Sequence, residues 1–233
     1  MHKKQAPQII FEDNHLIVVN KRIAELVQSD RTGDASLIDS LKKYLKVKYK
    51  KNGNVYLGAP HRIDRPTSGI VVFTKTSKSL SRISEQFRKQ EVKKIYWAIV
   101  KNKPEKEADT LTNYLVRNKK QNKSYCHNKQ VDDSKKAILH YQTIASSDNY
   151  FLLEVILETG RHHQIRSQLA NIGCPIKGDL KYGFSRSNKD GGINLHARKI
   201  TFMHPVKKEE MSLTAKLPNE PIWNIFENIV SGI

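Results

Sequence analysis

Two spacings of apolar residues recur along this chain, an alternation and a repeat of three to four, and they mark strands and helices respectively. The alternating or continuous runs Ile9-Ile10-Phe11 and Leu16-Ile17-Val18-Val19 flank Glu12-Asp13-Asn14, which predicts a hairpin over Gln8 to Asn20. Leu37, Leu41 and Leu45 then recur every four residues in a lysine-rich segment. That spacing predicts an amphipathic helix, capped by Asp34 or Ser36 and ended by Asn52-Gly53. Ile70-Val71-Val72-Phe73 reads as a buried strand, and a second helix follows the cap Ser77, with Leu80, Ile83 and Phe87 on its inner face.

Further on, Ile95-Trp97-Ile99 alternates with Tyr96-Ala98-Val100, so a strand there turns Tyr96 and Trp97 to opposite faces. Ala137 to Ala145 and Tyr150 to Glu158 predict an antiparallel pair across Ser146-Ser147-Asp148-Asn149. A short helix is expected from His163 to Ile172, stopped at Gly173, and strands near Leu195 to Phe202 and Met211 to Ala215. Pro221 opens a last helix carrying Ile222, Ile225, Phe226 and Ile229. Mostly antiparallel strands with a few helices packed on them make an α+β domain. The polar stretch from Arg117 through Lys119-Lys120-Gln121-Asn122-Lys123 to Lys135-Lys136 is expected as a loop or exposed hairpin at its edge. It reads as a solvated charge run or as an RNA contact. No repeat or linker divides the chain, so residues 1–233 are expected to form one domain with a substantial core.

Charge narrows the choice of partner. Lys+Arg 41 against Asp+Glu 23 leaves +18 over 233 residues, an excess that favours a polyanion without choosing between RNA, DNA and an acidic membrane. No apolar run approaches the roughly 20 residues of a bilayer span, and Met1-His2-Lys3-Lys4-Gln5 lacks the core of a signal peptide. Cys126 and Cys174 are too few and too far apart to suggest a disulfide framework or a zinc site, and a reducing, cytoplasmic setting is expected.

The candidate chemistry sits just before the third apolar run, in His61-Arg62-Ile63-Asp64-Arg65-Pro66-Thr67-Ser68-Gly69. Asp64 lies between two arginines that favour its ionised form, with Pro66 and Gly69 shaping the backbone after it. A lone Arg-x-Asp would be read as a surface loop with compensated charges. Two further segments change that reading: Val92-Lys93-Lys94-Ile95-Tyr96-Trp97-Ala98-Ile99-Val100 and Thr159-Gly160-Arg161-His162-His163-Gln164-Ile165-Arg166. With Gly178-Asp179-Leu180-Lys181-Tyr182-Gly183, Leu195-His196-Ala197 and His204-Pro205, they resemble, in order, the motifs of the RluA-type pseudouridine synthases.

The resemblance implies that family's fold, a bent mixed sheet with flanking helices and a central active-site cleft. It implies an isomerase that turns specific uridines of structured RNA, ribosomal or transfer RNA, into pseudouridine with base flipping. It also implies site residues: Asp64 is the catalytic carboxylate, Tyr96 the active-site ring and Arg166 the partner of the Asp. His61, Arg62, Arg65, Arg161, Lys181 and Tyr182 are the candidate RNA contacts, with His61 and Arg65 at phosphates and Arg62 filling the gap of a flipped nucleotide. Asp64 could attack sugar or base, or act as a base. The reaction needs no metal, nucleotide or other cofactor, and a monomer is expected.

The early motif departs from the family's Asn-Lys-Pro with a following small residue and Gly; here it reads Asn20-Lys21-Arg22-Ile23-Ala24-Glu25. That change puts a tight turn and its RNA contacts in question, as His162 in place of Ser or Thr alters packing in the third motif. The catalytic pattern begins by Ile9, so no separate N-terminal RNA-binding domain is expected. The alternative class is an RNA-binding or ribosome-assembly chaperone that keeps the fold without the activity. A phosphotransferase loop lacks its Gly-rich partner, and a metal site at Glu158, His162 and His163 lacks the helical histidine spacing.

Overall fold

Leu16-Ile17-Val18-Val19, the first long apolar run, is buried throughout, so both faces of the strand that contains it are covered, and the strand has a neighbour on each edge. The computed structural model describes residues 6–29 and 33–232, which hold ten strands and four helices. The opening Met1 to Gln5, read above for a targeting signal, lies outside the described residues. The chain forms two compact units: residues up to Val92 with Lys199–Lys216, and Lys93–Arg198 with the segment from Leu217 onward.

In the first unit β1 (Ile9–Glu12), β2 (Leu16–Lys21) and β3 (Ser68–Thr74) form an antiparallel ladder with Val19 opposite Val71. Every residue of β3 is buried, which explains an uninterrupted rather than alternating apolar run. Helix α1 (Leu37–Lys48) begins at Ser36, whose Oγ accepts the Asp39 amide while the Asp39 carboxylate accepts the Ser36 amide. It ends at Tyr49, before the predicted Asn52-Gly53 stop, since Lys50 already takes a left-handed φ of 48°. Helix α2 (Ser77–Arg88) is capped by Thr76, one residue ahead of the predicted Ser77. Arg82 and Gln86 of α2 bond the backbone of Pro205 and Met203, and His204 bonds Asp13, so Lys199–Lys216 is tied into this unit.

The second unit contains β4 (Lys93–Val100), β5 (Ala108–Asn118), β6 (Lys123–His127), β7 (Lys135–Ser146) and β8 (Phe151–Leu157), in the order β4-β8-β7-β5-β6, all antiparallel. The polar stretch is the exposed hairpin of the two expected forms, and its first strand starts much earlier, at Ala108. Ala98, Val100, Leu111, Leu139, Val155 and Leu169 pack in one core, beneath α3 (Gln164–Asn171). The other face of β4 and β8 offers Trp97, Ile99 and Leu152 to Trp223 and Phe226 of α4 (Pro221–Ser231). Strand β9 (Leu195–Met203) begins in this unit and ends in the first, where it pairs with β10 (Glu210–Thr214). Among the described residues no helix is long and apolar enough to cross a membrane.

The turn after β2 shows how the missing Pro and Gly are replaced. Ala24 takes φ of 66°, its amide bonds the Arg65 carbonyl, and the Arg22 amide bonds the Glu25 carboxylate. A left-handed alanine costs about 1–2 kcal/mol, and a glycine there gives back about 0.4–1 kcal/mol in unfolded-chain entropy. Ala24→Gly is therefore expected to stabilise the protein by about 0.5–1 kcal/mol, read as a higher denaturant midpoint with an unchanged slope; a lower midpoint would contradict the strain.

Candidate active site

Pinning on both sides fixes the loop that carries Asp64. Ahead of it, the His61 ring stacks on Phe87 at 4.7 Å and its Nε2 accepts the Val72 amide of β3 at 2.9 Å. Ile63 and Thr67 are buried, the Thr67 amide bonds the Asp64 carbonyl at 3.0 Å, and Gly69 takes φ of 115° where the loop enters β3. Asp64 itself is half-buried and Arg62 is exposed. His61 and Arg65, expected at phosphates, also have partners within the loop's own unit. An Nε2 that accepts an amide cannot donate to an anion, and Arg65 spends Nε on the Ala24 carbonyl and Nη2 on Asp34 at 2.9 Å. Both residues brace the loop.

The residue that holds the loop from below had no assigned role in the sequence. Lys21, 1% exposed, donates from Nζ to the carbonyls of Arg22, Glu25 and Arg65 at 2.9, 2.9 and 3.1 Å. Three acceptors match the three protons of an ammonium. Burial nevertheless pushes its pKa down to about 7, with Glu25 and Asp64 opposing that shift and Arg65 adding to it. A cation closing a strand that begins with four apolar residues was the available signal.

In the second unit the third motif makes a loop and a helix start. His163 precedes α3 in a left-handed conformation, φ 53°. Gln164 braces the loop: its side-chain oxygen accepts from the Arg161 amide and the Thr159 hydroxyl, and its amide donates to the Ile138 carbonyl. Two residues further along, Arg166 is 4% exposed. Asp64 was the expected partner of Arg166; within this unit its Nε and Nη2 meet the two oxygens of Asp179 at 2.7 and 2.9 Å. Asp179 is 1% exposed, so this is a buried fork-to-fork pair.

Tyr182 completes the cluster. Its ring lies 5.1 Å from the Arg166 guanidinium carbon, and its hydroxyl bonds His163 Nδ1 and both the amide and carbonyl of Ser124 on β6. An RNA contact was expected of Tyr182, but the residue is buried and its hydroxyl is committed to this latch. His162 stacks on His163 at 3.8 Å and bonds Ser124, which fits a packing change at that position. Arg161 and Lys181 are exposed as expected, with Arg161 Nε on the Lys136 carbonyl and Lys181 Nζ on the carbonyls of Gln121 and Asn122.

Tyr96 is half-buried against the same core as Ala98 and Val100, while Trp97 faces the other way, as the alternation predicts. Lys94 shares its strand face and had no role assigned; burial lowers its pKa, and its Nζ reaches the flank of Gly160. The Glu158 carboxylate is taken by His140 at 2.6 Å, and among the described residues no group of three His, Cys, Asp or Glu side chains is placed to share a metal ion. The first unit thus carries a carboxylate on a rigid loop. The second carries an aromatic ring and a cation whose plane is fixed.

Two outcomes follow. Lys21 binds its proton less tightly folded than unfolded, so between pH 7 and the ordinary lysine value of about 10.4 it makes stability rise with pH, and its penalty is complete below pH 7. Lys21→Met is expected to remove that slope in denaturation at pH 6 to 10; an unchanged slope would refute it. Asp179→Asn leaves a buried guanidinium short of its charge and is expected to cost about 3–5 kcal/mol. The double variant Arg166→Met, Asp179→Leu should cost clearly less than the two single changes added together, and simple additivity would sink the pair.

Residues 15–171 match the family model described as RNA pseudouridylate synthase. The chain is 35% identical over 220 residues to the ribosomal large subunit pseudouridine synthase C of Rickettsia prowazekii (strain Madrid E), covering 90% of this chain and 68% of that protein. It is 31% identical over 228 residues to ribosomal large subunit pseudouridine synthase D of Zymomonas mobilis subsp. mobilis, covering 91% and 70%. The solved structure of human RNA pseudouridylate synthase domain containing 4 superposes with a TM-score of 0.77 at 26% identity, covering 91% of this chain and 89% of that one.

Proposed function

The chain belongs to the RNA pseudouridylate synthase family, and from that membership we propose that it isomerises specific uridines of large-subunit ribosomal RNA, with Asp64 as the catalytic carboxylate. The observation that carries the reading is the family match over residues 15–171, which contains Asp64, Tyr96 and Arg166 together. The names of the synthase C and synthase D relatives favour ribosomal over transfer RNA. On this reading both units serve one catalytic activity.

The reaction breaks the glycosidic bond, turns the uracil and rejoins it through a ring carbon. A carboxylate held on a loop pinned by His61, Lys21 and Arg65 keeps one position through both bond changes, which favours reaction from a preset geometry. Tyr96 offers a ring face for uracil and a hydroxyl for the proton that leaves carbon. Arg166, its plane set by Asp179 and Tyr182, contributes a cation that needs no reorientation during the reaction. Arg62, exposed beside Asp64, is suited to fill the space left by a nucleotide drawn out of its stack.

The test is a map of pseudouridines by carbodiimide-dependent reverse-transcription stops, in source cells with and without the gene. One or a few large-subunit sites are expected to vanish, to return with the wild-type chain and to stay absent with Asp64→Asn, whose RNA affinity remains within about threefold. Sites restored by Asp64→Asn would remove Asp64 from the chemistry. Sites lost in transfer RNA alone would overturn the ribosomal assignment, and growth rescued by Asp64→Asn without any site would support the chaperone class.

A further inference from the structure

The outward face of the sheet in the second unit carries an arrangement that the reaction does not use. Residues alternate between its two faces, and the registers place His127, Tyr114 and Lys136 in one row across β6, β5 and β7. The next row pairs Tyr125 with Val116, and the last pairs Lys123 with Asn118. Their other-face neighbours Leu111, Leu115, Ala137 and Leu139 are buried, so these rows face away from the core. Tyr125 is 40% exposed, and the Lys123 ammonium lies 5.5 Å from its ring centre. The Tyr125 hydroxyl is held by Gln121 of the hairpin turn, which fixes the ring without covering it.

Charge at this end has one sign. Between Asp109 and Asp132 the chain has no acidic residue, while Arg117, Lys119, Lys120, Lys123 and Lys129 all fall in that interval. Lys181 folds onto the same turn through Gln121 and Asn122. Toward the other end of the same sheet the sign reverses, where Asp109, Glu154 and His140 line a groove and His140 bonds the Glu158 carboxylate. A polyanion is attracted to the hairpin end and repelled beyond it. Flat rings with lysines between them suit a chain that offers base faces and phosphates together, and a duplex keeps its base faces hidden.

We propose that the outward face of the β5–β6 hairpin and the start of β7 is a platform for an unpaired strand of the RNA substrate, with a base stacked on Tyr125 and phosphates on Lys123 and Lys136. This rests on the RNA-modifying function proposed above and adds the element that receives a flanking single strand. Tyr114 sits diagonally from Tyr125 and extends the platform by a second ring.

The full chain is titrated against a fluorescein-labelled oligouridylate by anisotropy, with the strand alone or annealed to oligoadenylate. Tyr125→Ala is expected to weaken single-strand binding between about 5- and 100-fold, with Tyr125→Phe within about twofold of wild type and duplex binding unchanged. Lys123→Ala with Lys136→Ala should reduce the slope of log affinity against log salt by about 1.4, the value for two single-strand phosphates. Unaltered single-strand affinity in Tyr125→Ala, or an equal loss on the duplex, would overturn the platform. The readout requires no catalysis, so its failure is separate from a failure of the wild-type chain to form pseudouridine.

Discussion

A guanidinium taken out of water has to meet an opposite charge in a fixed place, and around Arg166 the second unit is arranged to supply it. Asp179 lies thirteen positions further along the chain, beyond the end of α3. Gly178 brings it there with φ of 89°, where any Cβ would come within 2.8 Å of the Gly192 carbonyl. The backbone then turns so that Tyr182 lies over the guanidinium, and its hydroxyl reaches across to β6. The buried ion pair and the tyrosine over it thereby tie together α3, the loop after it and β6, a strand that has no neighbour beyond β5 among the described residues. Such pairs contribute little net stability when complete, and their value is in fixing one geometry.

Lys21 plays the corresponding part in the first unit with a different chemistry. It meets no carboxylate directly; three carbonyls accept its protons, one of them from Arg65 in the loop after Asp64. The cations of this chain therefore divide into two kinds. A few are buried and hold backbone carbonyls or a carboxylate, while the hairpin lysines stay in solvent and account for much of the field that a polyanion would meet. Net charge alone could not separate those two kinds, because it counts a lysine the same in either place.

Periodicity made most of the fold legible. β1, β2, β4, β7, β8 and the four helices lie where apolar spacing puts them, with errors of a few residues at caps that Thr76 and Lys50 explain. β5 was hidden because its inward positions from Leu111 to Leu115 include Asn113, a buried amide held by Gln168. The site was legible by its motifs and not by its contacts. Nothing in a linear reading pairs Arg166 with Asp179 or commits His61 Nε2 to a strand amide, since both depend on turns whose direction is set by left-handed residues. The departure at Arg22-Ile23-Ala24 looked like a lost turn and is a strained one, closed by the same backbone bonds to Arg65.

The route of the chain also governs how the molecule can be made. The first unit is left at Val92 and resumed at Lys199, through a strand whose two halves belong to different units. On the ribosome, β1 to β3 and the first two helices emerge early, yet Arg82, Gln86 and Asp13 wait for Pro205, Met203 and His204 before their partners exist. The whole of the second unit's sheet has to leave the exit tunnel in the interval. Closure of the first unit is thus a late event that joins distant parts of the sequence, the kind of contact that slows folding and leaves strand edges open while it is awaited. No single cut yields a self-sufficient amino-terminal half, which makes this chain a poor donor of fragments.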